Sequence, residues 1–146
     1  QTNSTNYGLN LITKYNRADV FTLDQREIGL AYGTSSKDYV FLLARLMKHL
    51  NSRCGWLTLG SLGAMAIDAD GKTLQAPALT LSVQDTVGAG DAFFALSSIC
   101  AGLQLPFEIG SFFGNIAGAL AANVLGNSRA VNKLEFLKYA STLLNI

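Results

Sequence analysis

Charge is scarce in this sequence. Of 146 residues only 14% are Asp, Glu, Lys or Arg while 49% are hydrophobic, and an ordinary soluble domain carries about a quarter charged residues. The formal net charge is +1 with no basic block, which removes the electrostatic ground for a nucleic-acid or anionic-membrane partner. Cysteine is sparse as well. Cys54 and Cys100 stand far apart, lack metal-ligand spacing and sit in apolar runs, so they read as buried thiols in a reducing, cytoplasmic compartment. The single histidine, His49, lies among Leu46, Met47 and Leu50 on a helix-like run and reads as a surface or half-buried residue, not a catalytic one. Signal peptide, internal repeat and low-complexity segment are all missing. With Gln1 in first place, the expectation is a piece of a longer protein, forming one unit over residues 1–146.

Two stretches, residues 92–107 and 109–128, carry no charge at all. The second is about long enough to span a bilayer. Asn115, Asn123, Asn127 and several glycines argue instead for helices buried against a sheet, so no membrane partner is expected.

Taken in order, the chain opens with a polar stretch and a short helix over residues 9–15. A buried strand follows at 19–23. Asp24 then caps a helix that closes at Gly33, with Glu27 three residues on completing a capping box. Residues 35–38 start a helix whose Val40, Leu42, Leu43, Leu46, Met47 and Leu50 give a wide apolar face. A strand at 56–60 delivers Thr58 and Gly60 to its tip, Gly63 ends a turn, and a strand at 64–68 runs back to the hairpin turn Asp70-Gly71. Residues 74–83 return toward the sheet past Pro77, expected on an edge. Helices are expected at 92–103, from 107 to Gly126, and at 134–144. Strands alternating with helices, plus one hairpin, predict an α/β fold with a mainly parallel sheet flanked by helices.

The rest of the chain is organised around Asp85-Thr86-Val87-Gly88-Ala89-Gly90-Asp91, followed by Ala92-Phe93. Two glycines ahead of a helix expose successive N–H groups where the helix end favours an anion. An aspartate beside a phosphate nest repels the phosphate, a placement that makes sense where a hydroxyl must lose its proton there. That makes Asp91 a candidate general base and the amides of Gly88, Ala89 and Gly90 a cradle for developing negative charge. Phe93 stands where a dinucleotide fingerprint needs its third glycine, which argues against that motif. Thr58, Gly60 and Gly63 offer a hydroxyl and bare backbone at a strand tip, suited to phosphate approach.

The pattern Asp-Thr-x-Gly-Ala-Gly-Asp before Ala-Phe resembles the C-terminal signature of the ribokinase-like (PfkB) carbohydrate kinases. The resemblance covers most of this chain but only about the C-terminal half of such a kinase, so a missing N-terminal half is the expected partner. It implies a ribokinase-like fold and transfer of phosphate from ATP, with magnesium, to a hydroxyl of a sugar or sugar phosphate. In the family an Asn-x-x-Glu motif supports the magnesium–phosphate site. Glu27 matches it and Asp24 departs from it, and for this pair capping alone and a metal role both stay open. The resemblance also sets Thr58, Gly60 and Gly63 against the nucleotide phosphates and Asn115 beside the adenine. It makes Asp85 the side-chain ligand of a monovalent cation, potassium, with Val87 and the loop at residues 126–128 supplying carbonyls.

The alternative is a non-catalytic nucleotide-binding or scaffolding module of a larger sugar-nucleotide enzyme. The tract Asn10-Leu11-Ile12-Thr13-Lys14-Tyr15 is similar to kinase domains joined to sugar-nucleotidyltransferase domains. Which sugar is used, and whether the chain forms a homodimer, stay open in the sequence.

Overall fold

Alternation within the strands explains the layering. The computed structural model describes residues 8–79 and 83–145, with strands β1 (Val20–Asp24), β2 (Cys54–Thr58), β3 (Ala64–Asp68) and β4 (Thr73–Ala76). Successive side chains of a strand point to opposite faces. Phe21, Leu23, Leu57 and Ile67 enter one core, where Ile28 of α1 (Gln25–Tyr32) and Leu42, Leu43, Leu46 and Leu50 of α2 (Tyr39–Leu50) close over them. Cys54, Trp56, Ala64 and Ala66 enter a second core on the other face. There α3 (Ala89–Gly102) brings Phe93 and Ala101, and α4 (Phe107–Ala122) brings Phe107. The last helix, α5 (Lys133–Leu144), packs on α4 with Phe136 edge-on to Phe113 at 5.4 Å.

The ribokinase-like layout of a helix-flanked sheet with a hairpin is present. Among the described strands the sheet is mixed, in the order β1-β2-β3-β4. Only the β1–β2 pairing is parallel, and β2–β3 and β3–β4 are antiparallel. The β3–β4 turn is closed by Asp68, whose carboxylate accepts the N–H groups of Asp70 (3.0 Å) and Lys72 (2.8 Å). Strand β4 stops at Ala76, because Pro77 has no N–H with which to continue the ladder. Of the return expected over residues 74–83, positions 80–82 lie outside the described residues, as does the polar opening at 1–7.

Helix ends follow local chemistry. Asp24 accepts from Glu27 N–H at 2.7 Å while the Glu27 carboxylate accepts from Asp24 N–H at 2.9 Å, a complete capping box, and Gly33 closes the helix in the left-handed conformation. Asp38 caps α2 and Asn132 caps α5. The short helix expected at 9–15 is a 3-10 turn, Ile12–Lys14. His49 Nε2 donates to the Thr13 carbonyl at 2.9 Å, tying that turn to α2.

Most of the two charge-free stretches lies in α3 and α4, which pack side by side. Gly110 approaches the Trp56 ring and Gly114 the Phe93 ring, each so closely that an added Cβ would fall 2.9 Å away. Trp56 is fully buried, and its indole N–H donates to Ser111 Oγ at 2.9 Å. Among the described residues no helix is long and apolar enough to cross a membrane. Both cysteines are buried and unbridged, and burial pushes the Cys54 thiol up to about 11.

Candidate active site

The motif forms the first turn of α3. The helix starts at Ala89, not at residue 92, because Gly88 takes the left-handed conformation (φ 80°) and its carbonyl already accepts the Ala92 N–H at 2.9 Å. Asp91 therefore sits in the first helical turn, exposed to solvent. First-turn N–H groups have no acceptor within their own helix. One member of the expected cradle is engaged: Ala89 N–H bonds the Thr86 carbonyl at 3.2 Å. Gly90 is exposed and has open space where a side chain would stand.

Ahead of the turn, the loop is fastened to the end of α4. The Ala122 carbonyl accepts the N–H groups of Gln84 (3.0 Å) and Asp85 (3.1 Å), which satisfies an acceptor that the helix end leaves open. The Asp85 carboxylate accepts from Val87 N–H at 3.0 Å and from Gly126 N–H at 2.9 Å. Those bonds hold the Asp85 carboxyl below the usual carboxylate range. Gly126 (φ 59°) is not the end of α4. The helix stops at Ala122, and Gly126 lies in the 3-10 turn Leu125–Asn127.

Asp24 and Thr58 are register partners at the ends of the parallel strands β1 and β2. Thr58 Oγ donates to the Leu23 carbonyl at 3.3 Å. Burial pushes the Glu27 carboxyl above its ordinary value; the Asp24 N–H opposes this, and the charges of Asp24 and Asp91 add to it. Glu27 and Asp91 are thus close enough to interact electrostatically, although 64 positions apart by number (91 − 27). Gly60 lies two residues past β2 with open space around it.

Other predicted positions sit differently. Gly63 is buried, with φ 91°, and a Cβ there would fall 2.1 Å from the Ala76 carbonyl oxygen, so the fold itself requires glycine. Asn115 is buried on α4. Asp24, Glu27 and Asp85 do not converge: among the described residues no group of three His, Cys, Asp or Glu side chains could hold a metal ion. Two roles escaped the sequence reading. Thr86 supplies the carbonyl that fixes Ala89, and Gly118 of α4 lies against the Ala89 carbonyl, where a Cβ would come within 3.3 Å. The one signal for Gly118 is the spacing Gly110, Gly114, Gly118 along one helix face.

The geometry amounts to an anion-suited helix start bearing a carboxylate whose charge reaches Glu27, in the helix that follows β1. The model of the pfkB family carbohydrate kinases matches residues 10–133. The chain belongs to the pfkB family of carbohydrate kinases. Among curated proteins none matches it. Among solved structures it is similar to phosphofructokinase-2 from Escherichia coli in complex with potassium, at 20% identity and TM-score 0.77, over 88% of this chain and 42% of that one. It is also similar to a ribokinase from Arabidopsis thaliana complexed with ribose and ATP, at 22% identity and TM-score 0.74, over 85% of this chain and 41% of that one. A ribokinase from Thermotoga maritima matches at 20% identity and TM-score 0.73, over 84% and 42%. The chain therefore spans less than half the length of these solved structures.

Proposed function

We propose that this chain supplies the ATP cradle and catalytic base of a sugar kinase. The observation that carries the reading is Asp91 in the exposed first turn of α3, beside open Gly90 and within electrostatic reach of Glu27. Asp91 takes the proton from a hydroxyl of a sugar or sugar phosphate as that oxygen attacks the γ-phosphate of ATP. The backbone at Gly88, Ala89 and Gly90 lines the path of the transferring group, with Gly90 the most open of the three. Thr58 and Gly60 flank the nucleotide phosphates, Gly63 shapes their turn, and Asn115 stands on the helix behind the nucleotide.

Glu27 would hold hydrated magnesium, with Asp24 beside it. A magnesium site that keeps its waters and uses substrate phosphates needs only one or two carboxylates, so a three-carboxylate cluster is not required. Bound there, magnesium neutralises phosphate charge. At Asp85 a potassium ion would compete with two backbone N–H groups, so its proposed effect is confined to loop shape.

The remainder of a family-length kinase is the proposed partner. Strand β1 has a single neighbour among the described strands, and α3 with its C-cap leaves Phe94, Ile99 and Leu103 exposed. Buried free thiols fit a cytoplasmic setting.

The test is MgATP-dependent phosphorylation of a panel of sugars and sugar phosphates by the natural-length polypeptide, alongside Asp91→Asn. Turnover falling by about 10²-fold or more with nucleotide binding retained is expected. Undiminished turnover in the variant sinks the base assignment. Nucleotide binding with no turnover on any acceptor favours the scaffolding module instead.

A further inference from the structure

The first residue of α3 is located from outside α3. The Ala89 carbonyl oxygen would lie 3.3 Å from a Cβ placed on Gly118, and Phe93 Cβ would lie 3.8 Å from it. The contact is this close with no side chain at residue 118, and a Cβ there would require the two backbones to part by a few tenths of an ångström. The group in the way is backbone, so no rotamer change can make room. Ala89 is also held by its bond to the Thr86 carbonyl and by Gly88 in the left-handed conformation. A displacement of Ala89 therefore passes into the turn before it and the helical turn after it. The end of the same helix grips the other side of the loop, through Ala122 to Gln84 and Asp85.

We propose that Gly118 is a positioning residue for phosphoryl transfer, setting the height of the Gly88, Gly90 and Asp91 backbone relative to the sheet. This rests on the kinase reading of that nest. Its neighbours along the helix do a different job: Gly110 and Gly114 abut the rings of Trp56 and Phe93 and serve core packing. Reacting groups displaced by well under 1 Å lose rate before they lose binding, since 1 Å can cost about 10²-fold.

The test compares Gly118→Ala, Gly110→Ala and Gly102→Ala in the natural-length polypeptide. Gly102, at the far end of α3, has open space around it and serves as control. Gly118→Ala should lower kcat by about three- to tenfold with a smaller change in KM for ATP. Gly110→Ala should lower Tm and leave kcat of the folded protein unchanged. In proton–nitrogen correlation spectra, the amides of Gly88, Gly90 and Asp91 should shift in Gly118→Ala and stay in place in Gly110→Ala.

Unchanged kcat and unchanged amide positions in Gly118→Ala overturn the proposal, even if Tm falls. Inactivity of the unsubstituted protein on every acceptor overturns the kinase reading, and the amide shifts still decide whether Gly118 sets the nest. Should Gly118→Ala not fold, titration of the unsubstituted protein with magnesium–ADP decides. The Gly118 amide should then move together with Gly88 and Gly90 while Gly110 stays still, and a silent Gly118 overturns the proposal.

Discussion

The carboxylate of Asp85 accepts a hydrogen bond from the N–H of Gly126, 41 residues further along the chain, at 2.9 Å. A second bond, from Val87 N–H, completes a clasp between the motif and the turn after α4. Both bonds favour the ionised form, so the folded pKa lies below the ordinary value of 3.8. The stability this contributes is present above 3.8 and is lost as pH falls through the lowered folded value. Asp85→Asn, without added potassium, should therefore melt below the parent at pH 7, and the gap should close as acidification passes below the lowered folded value. A gap that stays constant with pH would show that the charge does not matter.

Glu27 carries the opposite sign. Burial raises its folded pKa above 4.5, the Asp24 N–H opposes this, and the charges of Asp24 and Asp91 reinforce it. Its contribution is fully present below 4.5 and declines as pH rises through the folded value. Glu27→Gln keeps an acceptor for the Asp24 N–H and removes the charge. In urea unfolding without magnesium, the variant should gain on the parent as pH rises from 4 toward 8. A variant that is weaker by the same amount at every pH would contradict this.

Ser111 sits between two partners, accepting from the Trp56 indole at 2.9 Å and donating to the Phe107 carbonyl at 2.8 Å. Ser111→Ala leaves the indole N–H buried without its acceptor, which should cost about 1–3 kcal/mol. Adding Trp56→Phe should cost less than it does in the parent, because the stranded donor is gone. Additive effects across the double-mutant cycle would rule out the coupling.

At Gly63 strain and collision act together. Gly63→Ala places a Cβ 2.1 Å from the Ala76 carbonyl oxygen at φ 91°, and the loss should exceed about 4 kcal/mol or abolish folding. Gly71→Ala has a similar φ of 81° and open space, so it isolates backbone strain and should cost about 1–2 kcal/mol. Equal losses in thermal unfolding would show that the collision is relieved by movement of β4.

The parts of this fold that were legible in the sequence are local. Asp24 and Glu27 are three residues apart, and their capping box forms as read. The apolar face of α2, the Asp70-Gly71 turn and the order of the helices follow likewise from spacing within one or two turns. The boundaries that shifted did so through backbone detail. Gly88 in the left-handed conformation lets the helix begin inside the motif, and α4 ends at Ala122 because Gln84 and Asp85 take its last carbonyl.

Sequence alone determined the family, since a contiguous motif needs no partner to be recognised, and it determined the order of strands and helices, since periodicity is a short-range property. Tertiary structure decided which groups meet: Asp85 with Gly126, Gly63 beneath Ala76, Gly118 against Ala89. The physical reason is reach. Steric exclusion and hydrogen bonding act over a few ångströms of space, and residues dozens of positions apart come within that distance only after both cores have closed on the sheet.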